Sequence, residues 1–301
     1  MKVFVTGANG QLGHDLLPEL SRRGHAATAS GSRARLQWDE TGKFPYISVD
    51  ITDGVAVADT LNETRPDVVI HCAAWTAVDA AEEPENRKRV RAVNAQGTAY
   101  IANACAKLGC KLIYVSTDYV FDGSGETPWK ADEPRFAPLN YYGETKLQGE
   151  KAVKAALERY FIVRTAWVFG NHGANFVRTM RELGKTRSSI RVVNDQIGTP
   201  TYTPDLARLL VDMAETERYG CYHATNEGGY ISWYDFACEV FRQCGYATEI
   251  IPVTTAEYGL SKARRPFNSR LDKSKLSENG FTPLPDWKDA FQRYLATEQD
   301  G

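Results

Sequence analysis

No run in this 301-residue chain approaches the roughly 18 consecutive apolar residues that a membrane span requires, so a soluble protein with no membrane partner is expected. Met1 leads within two residues into an apolar strand, without a charged segment followed by a hydrophobic one, and secretion is not signalled. A basic surplus is missing too: 36 Lys and Arg stand against 38 Asp and Glu, so nucleic acid is not an expected partner. Arg87, Lys88, Arg89 and Arg91 do cluster, but they lead into a helical segment and read as its solvated face. The six cysteines form no C-x-x-C pair and no cluster with histidine, so no metal ligand is assigned. Cys72 and Cys105 sit in apolar runs and read as small core residues, which suits a reducing, cytoplasmic compartment. Repeats, low-complexity tracts and long flexible linkers are also absent.

What is present is an alternation of short apolar runs with longer amphipathic ones. Strands are predicted at Lys2–Thr6, Ala26–Ala29, Tyr46–Val49, Asp67–Cys72, Lys111–Val115 and Tyr160–Thr165. Between them, helices are predicted at Gln11–Arg23, Asp53–Glu63, Glu85–Leu108 and Asn140–Ala156. Strands alternating with helices require a parallel sheet with right-handed crossovers, hence a doubly wound α/β fold of the Rossmann type. After Gly170 the rhythm loosens into helices near Asn175–Leu183, Asp205–Ala214, Trp233–Cys244 and Trp287–Leu295, with a short strand at Ile190–Val193. Residues 1–170 therefore read as a dinucleotide-binding unit, and 171–301 as a smaller substrate lobe over the sheet's carboxyl edge, parts of the chain crossing between them.

Gly7, Gly10 and Gly13 lie between the first strand and the first helix. Glycines there let the backbone approach a pyrophosphate, and the helix start offers free N–H groups and positive dipole. The spacing G-x-x-G-x-x-G resembles that of the short-chain dehydrogenase/reductases. After the second strand, where an acid would hold a ribose 2′-hydroxyl, the chain has Arg33 and Arg35 instead; guanidinium groups favour a 2′-phosphate and so NADPH, with NADH the alternative. Asp50, just after the third strand, with Ile51 beside it, is placed to meet the adenine end.

Tyr-x-x-x-Lys occurs twice, at Tyr142 to Lys146 and at Tyr258 to Lys262. The first copy opens a helix after the fifth strand, where i, i+4 spacing puts both side chains on one face. A free phenol titrates near 10; a neighbouring ammonium stabilises the phenolate and is expected to lower that value. The second copy contains Gly259 and has no strand context, so it reads as coincidence. At the end of the fifth strand, Ser116 and Thr117 both offer a hydroxyl to a substrate oxygen. Strand alternation turns only one of them inward, and the sequence does not choose.

The strings Cys72-Ala73-Ala74-Trp75-Thr76-Ala77-Val78-Asp79, Ser116-Thr117-Asp118-Tyr119-Val120-Phe121, Tyr142-Gly143-Glu144-Thr145-Lys146, Arg164-Thr165-Ala166-Trp167 and Asp195-Gln196-Ile197-Gly198-Thr199-Pro200 resemble the dTDP-4-dehydrorhamnose reductase family over nearly the whole chain. The resemblance implies reduction of a keto group on a dTDP-linked deoxysugar, with Tyr142 as proton donor, Lys146 its partner and Thr117 the hydroxyl on the keto oxygen. It places Gly10, Gln11, Leu12, Ala73, Ala74, Trp75 and Val115 at the cofactor, and Asp118 and Trp167 at the sugar. Arg265 would pair with the diphosphate, and Asn94 would organise the active site. Another keto-deoxysugar as substrate, or a non-catalytic subunit keeping the fold, are the alternatives, and the protein is expected as a monomer or homodimer. Some members hold magnesium at a dimer contact through glutamates; here Asp15 stands where one would be sought and the other ligands are not evident. Trp75 also departs from the tyrosine or histidine more usual in the family.

Overall fold

Alternate residues of β-strands face opposite sides, and in this chain both sides are apolar. The computed structural model describes residues 1–39 and 42–299. Its strands β1 (Lys2–Thr6), β2 (Ala26–Gly31), β3 (Tyr46–Ser48), β4 (Val68–His71), β5 (Lys111–Thr117) and β6 (Tyr160–Thr165) join Gly220–His223 in one seven-stranded sheet. The order is Gly220–His223, β6, β5, β4, β1, β2, β3, with every neighbouring pair parallel. Val3, Val5, Ile113, Phe161 and Val163 pack on one face with Leu16, Leu17 and Leu20 of the Gln11–Arg22 helix and Leu206 and Leu210 of the Thr203–Ala214 helix. Phe4, Leu112, Tyr114 and Ile162 pack on the other with Val57 and Leu61 of the Gly54–Thr64 helix, Ile101 and Cys105 of Thr98–Leu108, and Val153 of Tyr141–Ala156. Sheets buried on both faces read as continuous apolar runs, as these do. Leu17 is fully buried, and truncating such a side chain to Ala costs about 2–5 kcal/mol.

The strand order reverses between β1 and β4, and that switch point opens a crevice at the carboxyl edge of the sheet. Residues after 170 build a second layer around Phe169, Phe236, Trp287, Phe291 and Tyr294. It contains the helices Phe176–Thr186, Trp233–Cys244 and Trp287–Gln299, and the parallel pair Ser189–Val193 with Glu249–Val253. The chain crosses between the layers, because Thr203–Ala214 and Gly220–His223 belong to the large sheet. Among the described residues no helix is long and apolar enough to cross a membrane.

Expected and observed boundaries differ where caps decide them. Asp53 and Asn140 precede their helices as N-caps, their side chains accepting from Val55 and Ala56 N–H and from Gly143 N–H. The expected single helix Glu85–Leu108 is interrupted: Pro84–Arg91 runs into a π-turn at Ala92–Gly97 before Thr98–Leu108. Such wide turns concentrate at functional sites, and this one carries Asn94.

Candidate functional site

Gly7 has φ +70, and a Cβ there would lie 2.7 Å from the Ala73 nitrogen; at Gly13 it would lie 2.6 Å from Ala8 Cα. These contacts bring the β1 turn against the backbone after β4 and the helix start against the turn. Gly10 caps the Gln11–Arg22 helix with no side-chain bond to its amides, and the first turn holds no acid. Unclaimed N–H groups at a helix start are suited to an anion, so the cradle fits a dinucleotide's pyrophosphate. Gln11 is tied to the second layer, its Oε1 accepting from Asn175 at 2.7 Å, and Leu12 is buried. Asn9 pins the following loop, donating to Arg35 O at 3.2 Å and accepting from Gln37 N at 2.8 Å. Arg33 and Arg35 are exposed, and among the described residues neither forms an ion pair with a carboxylate. Asp50 closes its own turn by accepting from Thr52 N and Oγ1 at 2.9 and 2.8 Å. Ile51 lies in the apolar core, its Cδ1 only 3.0 Å from where a Cβ on Gly97 would stand.

At the end of β5 the two hydroxyls part. Ser116 Oγ donates to Glu150 Oε1 at 2.6 Å, inside the core. Thr117 donates to Asp118 at 3.1 Å, accepts from Tyr119 N at 3.2 Å and lies beside the Tyr142 phenol. Tyr142 sits half-buried one residue into the Tyr141–Ala156 helix, its ring edge-on to Tyr119 with centroids 5.8 Å apart. Gly143 lets this helix close on the Tyr119 carbonyl, which a Cβ would meet at 2.3 Å. Lys146, 2% exposed, donates to Val115 O at 2.7 Å and lies 4.1 Å above the Tyr114 ring. Thr117, Tyr142 and Lys146 thus converge at the carboxyl end of β5.

The expected downward pull of Lys146 on the phenol is not what the structure shows. Burial pushes Tyr142 up, the Asp118 carboxylate adds to it, and the Thr117 hydroxyl only partly opposes them. Lys146 is itself pushed down to about 7 by burial, with Glu150 and Cys72 opposing. The physical reason is that both groups lose water while the ammonium is held on the Val115 carbonyl. A phenol raised in this way keeps its proton at neutral pH, as a proton donor must.

A family model described as the RmlD substrate binding domain matches residues 1–299. This chain belongs to that family. It is 44% identical to a dTDP-4-dehydrorhamnose reductase of Streptomyces griseus, over 95% of this chain and 90% of that protein. It is 36% identical to the Escherichia coli K12 protein of the same name, over 98% and 97%. In fold it resembles a dTDP-4-dehydrorhamnose reductase of Bacillus anthracis solved in complex with NADP, with a TM-score of 0.89, 38% identity, and 98% and 99% of the two chains covered.

In this RmlD-family chain Asn94 is 1% exposed and joins three segments. It accepts from Trp75 N at 2.8 Å and donates to Trp75 O at 3.2 Å and to Thr145 Oγ1 at 3.1 Å. The loop Ala73-Ala74-Trp75 is thereby tied to the residue before Lys146. Asp118 is 3% exposed, and its Oδ2 has no hydrogen-bond partner. Burial pushes its carboxyl up to about 6, against the hydroxyls of Ser269 and Thr117. Trp167 adopts φ +52, which a bulky residue rarely does, and stacks on Trp233 at 3.8 Å. Gly198 leaves room for it, since a Cβ would lie 2.9 Å from the indole.

Other expected residues are placed differently. Arg265 grips Asp79 through two nitrogens at 3.1 and 2.7 Å, so its guanidinium faces a carboxylate of its own chain. The second Tyr-x-x-x-Lys is split by Gly259, which ends the Thr255–Tyr258 turn at φ +63, and Lys262 pairs with Glu83. Among the described residues no group of three His, Cys, Asp or Glu side chains is arranged to hold a metal. Asp15, pushed up to about 6 by burial, lies beside Thr203. The roles of Ser269, Asn9 and the Glu150–Arg164 pair are not legible in the sequence, because loop crossings and register bring them into place.

Proposed function

We propose that the chain is a cytoplasmic reductase that uses NADPH to convert the 4-keto group of dTDP-4-dehydro-L-rhamnose to the hydroxyl of dTDP-L-rhamnose. What carries the reading is the meeting of Thr117 and Tyr142 at the end of β5, beside a glycine cradle at the sheet's switch point. The near full-length likeness to reductases of that name supports it.

Residues 1–170 would hold NADPH through the amides at Gly10, Gln11 and Leu12, with Arg33 at the 2′-phosphate, Ala73, Ala74, Trp75 and Val115 along its length, and Lys146 at the ribose. Bound there, the cofactor supplies hydride to the carbonyl carbon. Tyr142 gives its proton to the carbonyl oxygen as negative charge develops, and Thr117 hydrogen-bonds the same oxygen. The Lys146 ammonium then stabilises the phenolate left behind. Asp118, with an unpartnered carboxylate oxygen, accepts from a sugar hydroxyl, and Trp167 offers the ring face against which the sugar lies. The test is oxidation of NADPH by the purified chain with the keto sugar, with the product identified as dTDP-L-rhamnose. Absence of turnover with that substrate overturns the reading.

A further inference from the structure

One turn beyond Lys146, the same face of the Tyr141–Ala156 helix carries Glu150, again at i, i+4. Its side chain is 1% exposed and accepts three hydrogen bonds: from Ser116 Oγ at 2.6 Å, Arg164 Nε at 2.8 Å and Arg164 Nη2 at 2.7 Å. Ser116 and Arg164 are register partners across β5 and β6. Arg164, fully buried, reaches on through Nη1 to Ala131 O at 3.0 Å and His223 Nε2 at 3.3 Å. One carboxylate thus joins the catalytic helix to two strand ends. A buried ion pair is often no more stabilising than well-packed apolar residues of the same volume, so stability is a weak reason for it to be there.

Its surroundings suggest a better one. Thr117 follows Ser116 directly, so the bond to Glu150 fixes the strand end from which Thr117 projects. Lys146 is faced by Glu150 on its own helix, by Tyr114 on β5, and by His71 and Cys72 at the end of β4, while Tyr142 stands four residues before it on the same helix. Within that set Glu150 is the carboxylate. We propose that Glu150, clamped by Arg164 and Ser116, is a positioning residue that keeps Lys146 charged beside Tyr142 and sets the end of β5, touching neither substrate nor cofactor. The inference rests on the reductase reading. Supporting it, Glu150 is the leading influence that opposes the effect of burial on Lys146, and the same carboxylate helps push the Tyr114 phenol up.

Glu150→Gln removes the charge; the double variant Glu150→Gln/Arg164→Gln does so without leaving a guanidinium unpaired, and carries the measurement if the single variant does not fold. Two readouts are taken. In the pH profile of kcat, the alkaline limb moves about one unit lower, because Lys146 gives up its proton sooner. Turnover at pH 8 then falls about tenfold and is largely recovered at pH 6. In urea unfolding without substrate or cofactor, wild-type stability rises with pH from about 7, where the unfolded chain holds a proton that the folded Lys146 has released. That rise starts correspondingly lower in the variants. Loss of kcat by one factor at every pH, with both curves unmoved, overturns the proposal, as does unchanged kcat. If wild type fails to reduce the keto sugar, the reductase reading falls; a shifted unfolding curve still supports the coupling of Glu150 to Lys146.

Discussion

Asn94 holds Trp75 by both of its backbone polar groups: the Trp75 amide donates to Asn94 Oδ1 at 2.8 Å, and Asn94 Nδ2 donates to Trp75 O at 3.2 Å. The π-turn at Ala92–Gly97 sets the side chain where it also reaches Thr145, beside Lys146. Replacing it by Ala leaves buried groups unpaired, each costing about 1–3 kcal/mol. Asn94→Ala is expected to lose about 2–4 kcal/mol in urea unfolding and to bind NADPH more weakly, measured by fluorescence titration.

Arg33 is exposed and, among the described residues, not committed to a carboxylate. A guanidinium bond to a phosphate contributes about 1.5–3 kcal/mol. Arg33→Ala should therefore raise the Kd for NADPH by about 10- to 100-fold and leave that for NADH unchanged. Parallel titration of both cofactors checks it, and an unaltered NADPH Kd removes Arg33 from the 2′-phosphate site.

Asp118 sets a pH dependence of stability. Its folded carboxyl holds the proton up to about 6, against 3.8 for a free side chain. A raised folded value means a stabilising contribution that is complete below about 4 and is lost as pH rises through 6. Asp118→Asn should consequently be more stable than wild type at pH 7, by on the order of 2–3 kcal/mol, and no more stable at pH 3.5. Urea unfolding at the two pH values decides it.

Gly7 offers a test of the cradle. At φ +70, with the Ala73 nitrogen 2.7 Å from any added Cβ, Gly7→Ala must separate the β1 turn from the loop after β4. NADPH affinity should fall at least about tenfold, while stability falls by about 1–3 kcal/mol.

The sheet was legible because apolar runs of strand length alternate with amphipathic helices, and the glycine spacing marks the first turn. The choice between Ser116 and Thr117 was not, since it depends on Glu150 capturing Ser116 from a neighbouring helix. Nor could the sequence separate the two Tyr-x-x-x-Lys spacings except by context: a strand before Tyr142, and Gly259 within the other. The long helix read as uniform because a π-turn leaves the apolar pattern nearly intact. The sign of the shift at Tyr142 is not legible in the sequence, because spacing shows the nearby ammonium but not the water lost by the phenol. The family resemblance points Arg265 at a diphosphate, and its pairing with Asp79 is not legible because only the chain crossing brings that carboxylate to it.

Under the proposed function the Tyr142 phenol, protonated and beside Thr117, gives up the proton in the reduction. Its most direct test is kcat for NADPH oxidation with dTDP-4-dehydro-L-rhamnose in Tyr142→Phe against wild type. A fall of about 10²- to 10⁴-fold is expected, with substrate KM and NADPH Kd nearly unchanged. A variant that turns over at the wild-type rate would contradict it.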